Sequence, residues 1–165
     1  MNIYAIGDIH GNVDALTALH KKIFTKNNFK VKEDLIIYLG DYIDRGLKSK
    51  DVIDQIIKLK NNEIKTVNLI GNHEEFMTDF LFNKINNIKN WLNFGVDQTL
   101  KSYNIEIVDF IKDGFDDDII NKLRDVLLEK MGNEHINFFK SLETKFSTEN
   151  YLFVHAGINP TKSLA

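Results

Sequence analysis

Four places along this sequence set ligand-type side chains directly after a short apolar run. Ile3-Tyr4-Ala5-Ile6 is followed by Gly7-Asp8-Ile9-His10-Gly11, and Leu35 to Leu39 by Gly40-Asp41-Tyr42-Ile43-Asp44-Arg45-Gly46. Val67-Asn68-Leu69-Ile70 is followed by Gly71-Asn72-His73-Glu74, and Tyr151-Leu152-Phe153-Val154 by His155-Ala156-Gly157. Together these endings offer Asp8, His10, Asp41, Asp44, Asn72, His73 and His155. Oxygen and imidazole donors without sulfur suit hard and borderline divalent ions such as manganese, iron, zinc or nickel. Two such ions about 3.5–4 Å apart form a clamp for in-line displacement at phosphorus, with one carboxylate between them. Asp41 is the natural bridge, because Asp8 and Asn72 flank it on the neighbouring strand ends. Arg45 supplies a permanently charged, planar fork for phosphate oxygens. His73 could protonate a leaving alkoxide if a carboxylate held its ring, and Asp44 is the expected holder.

The positions of these residues imply the elements that carry them. Runs of four or five residues rich in branched and aromatic side chains predict buried strands. Glycine immediately after a strand lets the backbone turn sharply and lets an ion or phosphate approach without meeting a Cβ. Between the runs, Ala15, Leu16, Leu19 and Ile23 recur at helical spacing, as do Val52, Ile53, Ile56 and Ile57, with Asp14 and Asp51 near the respective starts. Strand, loop, helix, strand predicts an α/β fold with right-handed crossovers and a largely parallel sheet. Ligands of such sheets bind outside the carboxyl ends of the strands, where all four clusters would lie.

Residues 83–148 differ: they are helix-prone, rich in Asn and Lys, and lack the strand-then-ligand pattern. They predict a helical insertion over or beside the carboxyl edge of the sheet within one domain of 1–165. Asp116-Asp117-Asp118 should open a helix whose apolar face is Ile119, Ile120, Leu123, Val126 and Leu127. Trp91 with Leu92 reads as core or cap packing rather than a substrate stack. His20 and His135, in helical segments without ligand neighbours, read as surface or packing histidines.

Composition narrows the function classes. The net charge of −3, with signs interspersed, recommends no nucleic-acid partner. The absence of cysteine removes disulfides, zinc–thiolate sites and cysteine nucleophiles. No apolar run approaches the roughly 18 residues that span a bilayer, and a carboxylate at Asp8 comes too early for a signal peptide. The expectation is a cytoplasmic protein; oligomeric state is not encoded in any pattern here.

The blocks containing Asp8-Ile9-His10, Asp41 to Gly46 and Asn72-His73-Glu74 resemble GDxHG, GDxxDRG and GNHE, the signatures of calcineurin-like metallophosphoesterases. Within that superfamily they are similar to the phosphoprotein phosphatase branch, including bacterial serine/threonine phosphatases and symmetrical diadenosine tetraphosphatases. Val154-His155-Ala156-Gly157 resembles a fourth block, and Trp91-Leu92 followed by Thr99-Leu100 and Ser102-Tyr103 resembles a cap segment of the bacterial group. The resemblance implies a central β-sandwich flanked by helices. It implies a first metal on Asp8, His10 and bridging Asp41, and a second on Asn72 and His155. It implies phosphate contacts from Arg45 and Asn72, with His73 as general acid oriented by Asp44. A metal-bridging hydroxide would be the nucleophile, so no phosphoenzyme forms, and manganese is the first expected ion. The implied substrates are phosphoserine or phosphothreonine in proteins, or small phosphomonoesters; diadenosine tetraphosphate is the alternative.

Two departures qualify these implications. Family members continue past the His-Ala-Gly block to a second phosphate-binding arginine and a Gly-His block, whereas this chain stops at Ala165. The fold is then expected to lack its C-terminal strands, with a weakened second metal site and reduced activity. That leaves, from another class, a catalytically impaired relative that binds metal or phosphoprotein. Where relatives often carry Asn-Gly-Gly, this chain has Phe94-Gly95-Val96, which changes the cap.

Overall fold

The computed structural model describes residues 1–26, 28–112, 114, 116–158 and 160–161. Strands β1 (Ile3–Ile6), β2 (Leu35–Tyr38) and β3 (Lys65–Asn68) form a parallel sheet with β2 in the centre. Ile3 pairs with Leu35, which pairs in turn with Lys65. Helices α1 (Val13–Lys26) and α2 (Ser49–Asn61) make the two crossovers, as the alternating pattern predicts. Helix α3 (Asn72–Leu81) follows β3 and opens on the candidate ligand Asn72 itself.

Every residue of β2 is buried, and its two faces enter different cores. Ile36 and Tyr38 join Leu16, Val52, Ile53, Ile56 and Phe80 in the helical core. Leu35 and Ile37 pack with Leu69, Leu39, Phe146 and Phe153 on the opposite face. That second face is covered by a small antiparallel pair, β4 (Phe146–Ser147) and β5 (Leu152–Phe153). Two sheets thus face one another across a small apolar layer, with helices on the other side.

This corrects two expectations. The run Tyr151–Val154 does form a strand, but in the second sheet and antiparallel, as Leu152–Phe153. The residues 146–147, expected within the helical insertion, are its partner. A turn closes the pair through the Thr148 N–H donating to the Tyr151 carbonyl at 2.8 Å. The third strand starts two residues earlier than its apolar run, because sheet pairing reaches back to polar Lys65 and Thr66. Leu69 then bridges Glu143, while its N–H still donates to the Tyr38 carbonyl of β2 at 2.8 Å.

The rest of the insertion is helical: α4 (Ile88–Leu92), α5 (Val96–Ser102), α6 (Val108–Ile111) and α7 (Asp117–Lys140). Asp116 caps α7 by accepting from the Ile119 N–H, and a left-handed Gly132 kinks the helix. Trp91, Val96, Leu100, Leu123 and Leu127 enter the same apolar core as the sheet's own helices. His20 and His135 are buried packing histidines. His20 sits between the Tyr38 hydroxyl and the Gln55 amide, both at 2.8 Å, and burial lowers its pKa to about 4. His135 lies between the Tyr103 hydroxyl at 2.7 Å and Asp54 at 2.8 Å.

Ile37 is wholly buried between the sheets, where the small layer has little material to collapse into a void. Ile37→Ala is expected to lower unfolding free energy by about 3 kcal/mol, measured by urea denaturation.

Candidate metal centre at the strand ends

All four clusters meet at the carboxyl edge of the parallel sheet. Asp8 follows β1, Asp41 follows β2, Asn72 and His73 open α3, and His155 follows β5. Asp41 lies in the middle. Its Oδ2 is 3.5 Å from His10 Nε2 and 3.9 Å from His73 Nε2, while its Oδ1 is 3.4 Å from His155 Nε2. Two groups of potential ligand atoms result, each within 4.8 Å: His10, Asp41 and His73, and Asp8, Asp41 and His155. Asp41 is common to both. Neither group coincides with a ligand set that the resemblance assigns to one ion. Asn72 nonetheless reaches the second group through Oδ1, 3.2 Å from His155 Nε2.

The histidine tautomers follow from what each Nδ1 meets. His10 Nδ1 lies 2.9 Å from the Ile43 carbonyl, and His155 Nδ1 lies 2.9 Å from the Leu39 carbonyl. A carbonyl only accepts, so both Nδ1 atoms carry the proton and both Nε2 lone pairs face Asp41. Lone pairs set against a carboxylate require positive charge between them, from a proton or a cation. The donor set is hard and borderline, and therefore fits divalent ions.

The backbone is strained at these residues. Asp8, His10, Asp41, Asp44 and Arg45 all have positive φ, between 44° and 68°. Aspartate tolerates this region, but His10 and Arg45 do so at a cost of about 1–3 kcal/mol each, sustained only by the surrounding structure. At Asp41 that support comes from Glu74. Its Oε2 accepts from the N–H groups of Asp41 at 2.7 Å and Gly71 at 3.0 Å. Its Oε1 accepts from those of Tyr42 at 2.9 Å and Ile43 at 3.3 Å. Burial pushes the Glu74 carboxyl up to about 7, opposed by these backbone donors. At Gly71 a Cβ would lie 2.2 Å from Asp41 Oδ1, so only glycine lets the two loops meet.

His73 is paired with Asp44 rather than left to the open cluster. His73 Nδ1 is 2.7 Å from Asp44 Oδ2, and both side chains are wholly buried. Burial alone would lower the His73 pKa, but the hydrogen bond and charge of Asp44 outweigh it and leave it above the ordinary value. Arg45 Nη2 approaches His73 Nε2 at 3.3 Å. The ring of Phe94 meets His73 edge-on at 5.8 Å and remains partly exposed.

Sequence patterns brought forward the strand-end residues and missed what holds them. Glu74 lay within the third block but offered no spacing of its own. Of the residues that surround Asp44, Trp91 and Thr99 had as their signal only the likeness to a cap segment, and Ser49 had none. Trp91 is wholly buried, and its indole N–H donates to Asp44 Oδ2 at 2.6 Å, so it stacks on no substrate.

With this geometry in view, the chain belongs to the calcineurin-like phosphoesterase family, whose model matches residues 1–164. Among curated proteins it is 32% identical over 91 residues to the Shewanella-like protein phosphatase 1 of Plasmodium berghei (strain Anka), covering 51% of this chain and 25% of that protein. It is 39% identical over 89 residues to the symmetrical bis(5'-nucleosyl)-tetraphosphatase of Wigglesworthia glossinidia brevipalpis, covering 54% of this chain and 30% of that protein. A solved structure of the cold-active protein-tyrosine phosphatase of a psychrophilic Shewanella species superposes with a TM-score of 0.60 at 20% identity. That match covers 95% of this chain and 42% of the other. A solved structure named as a diadenosine tetraphosphatase gives 0.59 at 16% identity, over 98% of this chain and 53% of the other. These structural likenesses establish the fold. The chain spans under a third of either curated relative.

Replacing Glu74 by Gln would point an NH2 group at two backbone donors. Glu74→Gln is expected to destabilise the protein by about 3 kcal/mol, since each buried donor left unpaired costs about 1–3 kcal/mol. Thermal unfolding by circular dichroism checks this.

Proposed function

We propose that this chain carries a two-metal phosphoester hydrolase centre acting on phosphomonoesters, either phosphoserine and phosphothreonine in proteins or small esters. The observation that carries the reading is the Asp41 carboxylate, with one oxygen toward each ligand group, beside the buried Asp44–His73 pair. Asp8, His10 and Asp41 would hold one ion, and Asn72 and His155, with Asp41, the other. Manganese is the first choice, with iron, zinc or nickel as alternatives. When bound, the ions supply polarisation of the phosphoryl oxygens and a lowered pKa for the entering water.

The chain's own residues have the remaining tasks. Arg45 and Asn72 bind phosphate oxygens. A phosphate that accepts from Arg45 draws the guanidinium away from His73 Nε2, which is then free to carry a proton. As water oxygen bonds to phosphorus, the bond to the ester oxygen breaks, and that oxygen takes the proton from His73 Nε2. Orthophosphate and an alcohol leave, and His73 recovers a proton from solvent. Asp44 keeps Nδ1 protonated and the ring in place throughout. No side chain bonds to phosphorus.

A second reading is hydrolysis of a symmetrical dinucleoside tetraphosphate. The similarity to the Wigglesworthia protein supports it, as does the part-exposed Phe94 ring beside His73, which could take a base. The alternative of a binding module without catalysis is less well supported, because the Asp44–His73 pair is intact. A cytoplasmic location is part of this proposal; among the described residues no helix is long and apolar enough to cross a membrane.

The test is hydrolysis by manganese-loaded protein of an aryl phosphate, a phosphothreonine peptide and diadenosine tetraphosphate. His73→Asn should lower kcat on the phosphomonoesters by about 10²–10⁴-fold, the usual share of a general acid. Asp41→Asn should abolish turnover. Wild-type rates equal to both variants overturn the enzymatic reading. Cleavage of the dinucleotide alone selects the second one.

A further inference from the structure

Beneath the strand-end ligands lies a second layer of polar groups supplied by the insertion. Trp91, at the end of α4, donates its indole N–H to Asp44 Oδ2 at 2.6 Å, the same oxygen that faces His73 Nδ1 at 2.7 Å. Thr99, in α5, donates its hydroxyl to the other oxygen, Asp44 Oδ1, at 2.6 Å. The Thr99 oxygen in turn accepts from the Asp44 backbone N–H at 2.8 Å, and Ser49 Oγ lies 3.1 Å from it. Trp91, Thr99, Ser49, Asp44 and His73 are all wholly buried, so water cannot replace any of these bonds.

The torsion that turns a carboxylate plane is soft, and one hydrogen bond to an imidazole leaves it free to swing. Three donors on two oxygens, from three elements, leave one orientation. Charge-assisted bonds of this kind are also about twice as strong as neutral ones. We propose that Trp91 and Thr99 are positioning residues for the reaction: they fix Asp44 and, through it, the direction in which His73 Nε2 points. This rests on the phosphoester-hydrolase reading. It makes the helical insertion, rather than the sheet, the part of the fold that aims the proton donor.

The chain's one tryptophan gives a readout independent of catalysis. In metal-free protein, the single indole N–H resonance should lie downfield of free indole and move toward it in Asp44→Asn. Thr99→Val, which keeps shape, and Trp91→Phe, which keeps an aromatic ring, both remove the donor, and each should move the His73 Nδ1–H resonance. An indole proton at the free position, or a His73 proton unmoved in both variants, overturns the proposal.

Kinetics supply the second arm. Trp91→Phe should cost about 10- to 100-fold in kcat on an alkyl phosphate, the worth of one hydrogen bond to a charged group. It should cost far less on dinitrophenyl phosphate, whose leaving group needs no proton. In a His73→Asn background it should add no further loss, because the effect passes through His73. An equal fall on both esters, or a loss that persists without His73, reduces Trp91 to packing and overturns the proposal. If the wild type hydrolyses no ester, the phosphoesterase reading fails and the resonance arm decides alone. If Trp91→Phe does not fold, Thr99→Val carries both arms.

Discussion

The strand-end cluster depends on a carboxylate that belongs to none of the candidate ligand groups. Glu74 accepts from four backbone N–H groups, three in the loop after β2 and one at the start of α3. Those bonds fasten two loops that would otherwise hold several residues in left-handed backbone at a cost of about 1–3 kcal/mol each. A buried carboxylate is itself costly unless its oxygens are saturated, and here they are. The four backbone bonds thus offset the burial of Glu74 and hold the strained backbone of Asp41 in place.

Fixing Asp41 matters because its surroundings would not assemble unaided. His10 and His155 each commit a proton to a carbonyl and turn a lone pair toward the same carboxylate. Asp44, three residues on, has the opposite environment: imidazole, indole and hydroxyl donors enclose it. One carboxylate is left short of positive charge, and the other is supplied with it. That contrast supports the proposal that the first takes cations and the second orients a side chain.

Much of this was legible in the sequence. Short apolar runs ending in glycine marked β1 and β2 because a parallel sheet buries both faces and leaves its strand ends open for ligands. The same rule placed Asp8, Asp41, Asn72 and His73 on one edge. It could not show which sheet would receive Leu152–Phe153, since a two-residue strand has no period to read. Nor could it show Glu74, Trp91 or Thr99 as supports. A buried acid that bonds backbone, or an indole that bonds a carboxylate, leaves no spacing signal, because its partners are set by tertiary contact. The buried Trp91 agrees with its reading as packing, yet its N–H reaches the proposed acid's own carboxylate.

In the proposed centre one carboxylate, that of Asp41, serves two ions. Calorimetric titration of the metal-free protein with Mn²⁺, compared with Asp41→Asn, tests it most directly. Two binding steps, the second weaker, with both weakened in Asp41→Asn, are what a shared Asp41 requires. Uptake unchanged in Asp41→Asn, or one step lost while the other keeps its affinity, would contradict it.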